Sequence, residues 1–258
     1  KRRILNIAVF RKETLYQKMR ALIIYLVISA VFIGCTPILS IDASTQNVYH
    51  FSDTDKNISL LDISETFGTY DGSFVLYDNN LDSWKIYDLE EATKRIPPES
   101  TYKIYDALLG LESGIITPEH SSMTWNGDAF PFPSWEADQD LNSAMQNSVN
   151  WYFQAIDSQL GINRVQEFLN KIEYGNQTTS SNLDLYWSDF SLKISPLEQV
   201  TLLKKFNTNE FHLNFQNVFS VKNAIKIAST PNGNFYGKTG TGRVNGQDIN
   251  GWFIGYVE

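Results

Sequence analysis

The chain has 258 residues, 42% hydrophobic and 14% aromatic, with a formal net charge of −8, which is apolar enough for a membrane element plus one folded domain and excludes wholesale disorder. The charge is uneven: residues 1–20 hold seven basic side chains (Lys1, Arg2, Arg3, Arg11, Lys12, Lys18, Arg20) against Glu13 alone, leaving 14 basic and 28 acidic residues in 21–258. So acidic a remainder lacks the basic footprint that nucleic-acid binding needs; the single cysteine, Cys35, excludes an intrachain disulfide, and His50, His120 and His212 show no metal-ligand spacing.

In chain order, Ala21 to Leu39 is nineteen residues without a formal charge, close to the roughly 20 that cross a hydrocarbon core of about 30 Å. The basic cluster before it and the acidic chain after it match the positive-inside pattern. This predicts a cytoplasmic segment over 1–20, a transmembrane helix over 21–39 and everything later outside the cytoplasm. A competing reading starts at Lys18 and sees a signal peptide with Cys35 as a lipid-attachment site; the twenty residues up to Arg20 count against it, because a cleaved signal opens a chain. Beginning at Lys1 and ending at Glu258 inside a predicted strand, the sequence reads as a fragment.

Residues 40–66 are polar and suit a linker, leaving 67–258 as the folded domain. Ser73 to Tyr77, the turn formers Asp78-Asn79-Asn80, and Trp84 to Tyr87 predict a β-hairpin. After Pro97-Pro98, apolar groups at Ile104, Ala107, Leu108 and Leu111 predict a helix over 100–112, ended by Gly114. Further helices are predicted over 148–160, 163–171 and 195–206, the last with Pro196 in its first turn. Two strands follow, over 235–241 and 250–257. Strands, a helical middle and strands again predict an α+β domain whose antiparallel sheet is assembled from both ends of the chain, flanked by helices and carrying a helical subdomain.

Three short motifs carry chemistry. In Ser100-Thr101-Tyr102-Lys103 the serine opens a helix, near unsatisfied N–H groups and the positive end of the dipole, and the lysine three residues on shares its face. A neutral or modified Lys103 can take the serine proton, which an ammonium cannot. Alone, the pair is as well explained by a helix cap. Ser148-Val149-Asn150 stands directly before the aromatic run Trp151-Tyr152-Phe153; Ser180-Ser181-Asn182 also fits the pattern but sits in a polar tract that cannot anchor a catalytic loop. Lys238-Thr239-Gly240-Thr241 enters a late strand, where a cation, hydroxyls and a glycine can hold an extended acyl substrate bearing a carboxylate. The backbone N–H of Thr241 and that of Ser100 would form an oxyanion hole.

The order SxxK, SxN, KTG is that of penicillin-binding proteins and serine β-lactamases. With Tyr174-Gly175-Asn176 and the Gly251-Trp252-Phe253 strand, the domain resembles class D β-lactamases, and with the basic segment and apolar stretch it resembles the C-terminal part of the BlaR/MecR β-lactam sensor-transducers. The resemblance implies a serine β-lactamase/transpeptidase fold, β-lactams as covalent ligands, no metal in this fragment, and an upstream portion with further membrane segments and a cytoplasm-facing zinc protease. It implies that Lys103 carries carbon dioxide as a carbamate and deprotonates Ser100, with the Trp187 indole as a support. Ser148 would pass protons to the lactam nitrogen, and Lys238, Thr239 and Thr241 would hold the carboxylate. Class D hydrolases usually have an apolar residue where this sequence has Asn150, whose amide can instead accept a bond from the decarboxylated lysine. The sequence therefore reads as a membrane-anchored sensor; a membrane-bound class D β-lactamase and a non-enzymatic peptidoglycan-binding module are the alternatives, and intact Ser100 and Lys103 argue against the last.

Overall fold

The computed structural model describes residues 47–52 and 57–258, which fall within one compact unit, Gln46–Glu258. The predicted cytoplasmic segment, the apolar stretch 21–39 with Cys35, and the first part of the linker lie outside the described residues; among those described, no helix is long and apolar enough to cross a membrane.

The domain opens with strand β1 (Asn57–Leu60) and a short helix α1 (Ser64–Phe67), followed by the predicted hairpin, β2 (Phe74–Asp78) and β3 (Ser83–Tyr87). Asp78 starts the turn by accepting the N–H groups of Asn80 and Leu81. Along β3, Trp84 and Ile86 are buried and Lys85 is exposed, the alternation of a strand with one face on a core. Helix α2 (Leu89–Thr93) precedes the Pro97-Pro98 segment. The predicted helix at Ser100 is a 3₁₀ turn, Glu99–Tyr102, running into α3 (Lys103–Glu112), with every α3 residue from Lys103 to Leu111 buried.

Helices α4 (Leu141–Gln146), α5 (Asn150–Leu160), α6 (Ile162–Ile172), α7 (Pro196–Thr208) and α8 (Phe215–Ala224) follow. Helix α7 starts as its sequence dictates: Ser195 accepts the Glu198 N–H, the Glu198 carboxylate accepts the Ser195 N–H, and Pro196 takes the position that needs no donor. Strands β4 (Lys226–Thr230), β5 (Gly233–Val244) and β6 (Gln247–Val257) complete the described fold. Asn245 and Gly246, both with positive φ (50° and 78°), join β5 to β6, the two-residue turn whose twist suits a hairpin.

Among the described residues the strands do not form the single sheet expected from both ends of the chain. They form two separate three-stranded sheets, β1-β3-β2 with a parallel β1–β3 pair and β4-β5-β6 wholly antiparallel. Helix α7 packs against both: its Leu197 joins Trp84, Ile86 and Ala92 in a small cluster, while Leu202, Leu203 and Phe206 join the main core together with Tyr236 of β5 and Ile254 of β6. One helix thus covers side chains of both sheets.

Candidate active site

Pro97-Pro98 and the 3₁₀ turn hold Ser100 at the mouth of α3. Thr101 donates through both its N–H and its hydroxyl to the Pro98 carbonyl (3.2 and 2.6 Å), Gln199 of α7 donates to the Thr101 hydroxyl (2.9 Å), and the Trp252 indole of β6 donates to the Pro97 carbonyl (2.8 Å). Tyr102, fully buried, packs against Tyr174, Tyr186 and Trp187 with ring centroids 5.2, 5.4 and 6.2 Å away. Turn and helix are fixed from three sides, and Ser100 is left partly open.

Lys103 is completely buried, and its ammonium reaches across the site. It donates to Ser100 Oγ at 2.9 Å, to the Ser148 carbonyl at 2.9 Å, to Ser148 Oγ at 3.2 Å and to Asn150 Oδ1 at 2.5 Å. Ser148 adopts a left-handed φ of 55° just before α5, a conformation that costs energy in a non-glycine residue. That geometry turns its hydroxyl between two lysine head groups, because Lys238 Nζ also donates to Ser148 Oγ, at 3.1 Å, and to the Thr239 carbonyl at 2.9 Å. The expected aromatic anchor is in place: Tyr152 and Phe153 are buried, and the Trp151 indole donates to the Trp135 carbonyl.

Burial pushes the Lys103 amine well below the usual lysine range, and the neighbouring charge of Lys238 adds to the effect. Burial also lowers Lys238, to about 8. Beneath Lys103, the buried carboxyls of Asp106 on α3 and Asp157 on α5 are both pushed well up by burial, Asp106 further by repulsion from Asp157.

Ser100, Lys103, Ser148, Asn150 and Lys238, spread over 138 positions of sequence, are therefore one hydrogen-bonded network. Along β5, Lys238 and Gly240 are buried toward the Ser100 turn, while Thr239 and Thr241 are exposed. A Cβ at Gly240 would lie 3.2 Å from the Ser100 backbone nitrogen, so the glycine lets the strand and the Ser100 turn touch. Trp187 lies behind the site: its carbonyl accepts the Glu99 N–H at 3.1 Å, its ring packs on Tyr102, and its indole is not among the recorded partners of Lys103 Nζ. The rival Ser180 turns away, donating to the Asn182 carbonyl and the Asp189 carboxylate. Tyr174-Gly175-Asn176 is structural: Gly175 has φ 51°, a Cβ there would fall on the Lys193 carbonyl, and the Asn176 side chain ties the loop through Ser191 and Lys193. Sequence reasoning passed over Glu99, Asp106 and Asp157; the available signal was an acid beside the nucleophile and two acids inside helices otherwise apolar on that face. No cluster of three or more potential metal ligands occurs among the described residues.

A buried lysine bonded to a serine at a helix mouth, bridged through a second serine to a strand lysine, defines a class, and residues 66–258 match the penicillin-binding protein transpeptidase domain model. The chain belongs to that family. Within it the chain is homologous to the BlaR1/MecR1 sensor proteins. It is 44% identical over 261 residues to the regulatory protein BlaR1 of Bacillus licheniformis, an alignment covering all of this chain and 43% of that protein. The solved C-terminal domain of the Bacillus licheniformis BlaR penicillin-receptor is 46% identical, with a TM-score of 0.76 over 79% of this chain and 83% of that one. A class D β-lactamase from Sebaldella termitidis is more distant, 30% identical with a TM-score of 0.74 over 78% and 82% of the two chains.

Proposed function

We propose that the folded domain, residues 67–258 together with β1 and α1, is the extracellular sensor of a membrane receptor, acylated by β-lactams on Ser100 and holding the adduct long enough to signal the antibiotic and induce resistance. Ser100 Oγ attacks the lactam carbonyl and its proton passes to Lys103; the backbone N–H groups of Ser100 and Thr241 bind the oxyanion. The lactam C–N bond then breaks, Ser148 hands a proton to the leaving nitrogen, and Lys238 with Thr239 and Thr241 holds the substrate carboxylate. Carbon dioxide on Lys103, as a carbamate, would supply the base; the burial that favours the free amine fits this, since an ammonium cannot add carbon dioxide.

The observation that carries the sensor reading is the position of Asn150, whose Oδ1 accepts from the same Lys103 Nζ that touches Ser100. A membrane-anchored class D hydrolase is the second reading, favoured by the intact Ser100-Lys103 pair. Exposed to a chromogenic cephalosporin, the domain is expected to give one stoichiometric burst and then very slow turnover, and peptide mass mapping is expected to place one adduct on Ser100. Steady hydrolysis at tens of turnovers per second (about 10 to 10² s⁻¹) would instead make it a hydrolase.

The chain spans 43% of the length of the BlaR1 protein it matches, and the reading includes an upstream portion with further membrane segments and a zinc protease on the cytoplasmic side. Residues 21–39 are read as the final span. A reporter fused after Thr45 is expected to be exported and one fused before Ala21 to stay cytoplasmic; release of the domain by signal peptidase, or lipid on Cys35, would favour the lipoprotein alternative.

A further inference from the structure

The residue before the nucleophile has no role in the steps above, yet it is buried in an unusual way. Glu99 has a left-handed φ of 52° and only 5% of its surface exposed. Its side chain runs under β5: a Cβ at Gly240 would lie 3.1 Å from Glu99 Cβ, and one at Gly242 would lie 2.5 Å from Glu99 Oε1 and collide with Asn250 Oδ1. Gly242 and Asn250 are cross-strand partners, and the register shifts just beyond them. Two oxygens, one from the Ser100 turn and one from β6, therefore crowd the space of a single missing side chain.

Asn250 Oδ1 is buried without a hydrogen-bond partner, and its Nδ2 is turned to the Pro97 carbonyl at 3.4 Å. Two acceptors crowded into one buried space cost energy unless one carries a proton. We propose that Glu99 is a positioning residue of the acylation site: as the neutral acid it donates to Asn250 Oδ1, tying the Ser100 turn to the β5–β6 hairpin and so fixing the Ser100 and Thr241 N–H groups relative to each other. The inference rests on the acylation reading.

Burial raises the Glu99 carboxyl from 4.5 to about 7, against opposing pulls from the Asn250 amide and the Lys103 cation. Lys103 on α3 is the charged group acting on it; β5 and β6 meet it with Gly240, Gly242 and Asn250, the loop behind it with the Trp187 carbonyl, and Lys238, on the same side of β5, has its ammonium on Ser148. A raised carboxyl binds its proton more tightly in the folded state, so the associated stability is lost as pH rises from about 4.5 to about 7 and not beyond.

The test compares wild type with Glu99→Gln, whose amide N–H replaces the acid proton at every pH, and with Glu99→Ala. The ratio of wild-type to Glu99→Gln acylation rate constants cancels the titration of Lys238 but not that of Lys103, which an ionised Glu99 pulls upward; repeating the ratio in an Asn250→Ala background, which lacks the acceptor and keeps the Lys103 charge, is expected to abolish the part due to the hydrogen bond. With Asn250 in place the ratio is expected to be near unity on the acid side and to fall about 2- to 12-fold as pH passes 7, the range for one lost hydrogen bond, with Glu99→Ala slow throughout. The wild-type melting temperature is expected to drop relative to that of Glu99→Gln over the same interval. A ratio and a melting difference that ignore pH, or a folded Glu99→Gln that is slow at all pH because an ionised carboxylate is needed, would overturn the inference. If penicillin labelled no variant, the acylation reading would fail, while the melting comparison would still decide where the Glu99 proton lies.

Discussion

Replacing Lys103 with alanine is expected to slow acylation of Ser100 by about 10²- to 10⁴-fold, the usual worth of a positioned general base. Lys103 Nζ is 2.9 Å from Ser100 Oγ, the range required for direct proton transfer, and among the described residues no other side-chain base is recorded on that oxygen. The amine can act because burial and Lys238 hold it well below the ordinary lysine range. The sign for activity follows: the competent neutral amine is populated above the lowered pKa and lost as pH falls through it. Stopped-flow labelling with a fluorescent penicillin measures the rate, and bicarbonate is expected to accelerate the wild type but not Lys103→Ala. An unchanged rate in the variant would transfer the base role elsewhere, first to Ser148, whose hydroxyl bridges Lys103 and Lys238.

Asn150→Val is expected to speed deacylation by roughly 10- to 150-fold, the equivalent of the about 1.5 to 3 kcal/mol in a hydrogen bond to a charged group. A hydrolase must keep its base after acylation to activate the deacylating water, whereas a receptor must lose it. At 2.5 Å, Asn150 Oδ1 stabilises the protonated, unmodified lysine and so favours the base-free state; valine offers no acceptor. Pre-steady-state decay of the acyl adduct, followed by intact mass, reads the effect directly. A slow wild type with an unchanged variant would keep the receptor reading and remove Asn150 as its cause.

Much of this site was legible because its parts are local. Ser100 and Lys103 share a helical face, Ser148 and Asn150 abut an aromatic helix, and Lys238 to Thr241 lie in a strand, so short-range period and motif order sufficed. The hairpin, the capped start of α7 and the strands β5 and β6 were legible for the same reason, although the Asn245-Gly246 signal that lengthens the last two was passed over. Strand pairing across the chain was not legible, because nothing in the periodicity of β2 or β5 says which strands each will pair with. Helix α8 was hidden by an inverted pattern: Phe215 and Phe219 are 69% and 50% exposed while Asn217 is buried and donates to Glu112. Glu99, Asp106 and Asp157 were missed because a charged residue reads as a solvated one until its surroundings are known.

The lysine at the centre of the network is oversubscribed. Its nitrogen has four acceptors within reach, the Ser100 hydroxyl, the carbonyl and hydroxyl of Ser148, and Asn150, whereas an ammonium has three protons and a neutral amine two. Lys238 also reaches the Ser148 hydroxyl, so the three protons of a charged head group suffice for the other three acceptors, whereas a neutral amine leaves one of them without a proton. Under the acylation reading, an acyl group on Ser100 would take that oxygen out of contention and leave the Ser148 carbonyl, the Ser148 hydroxyl and Asn150 matched one to one with the three protons of the ammonium.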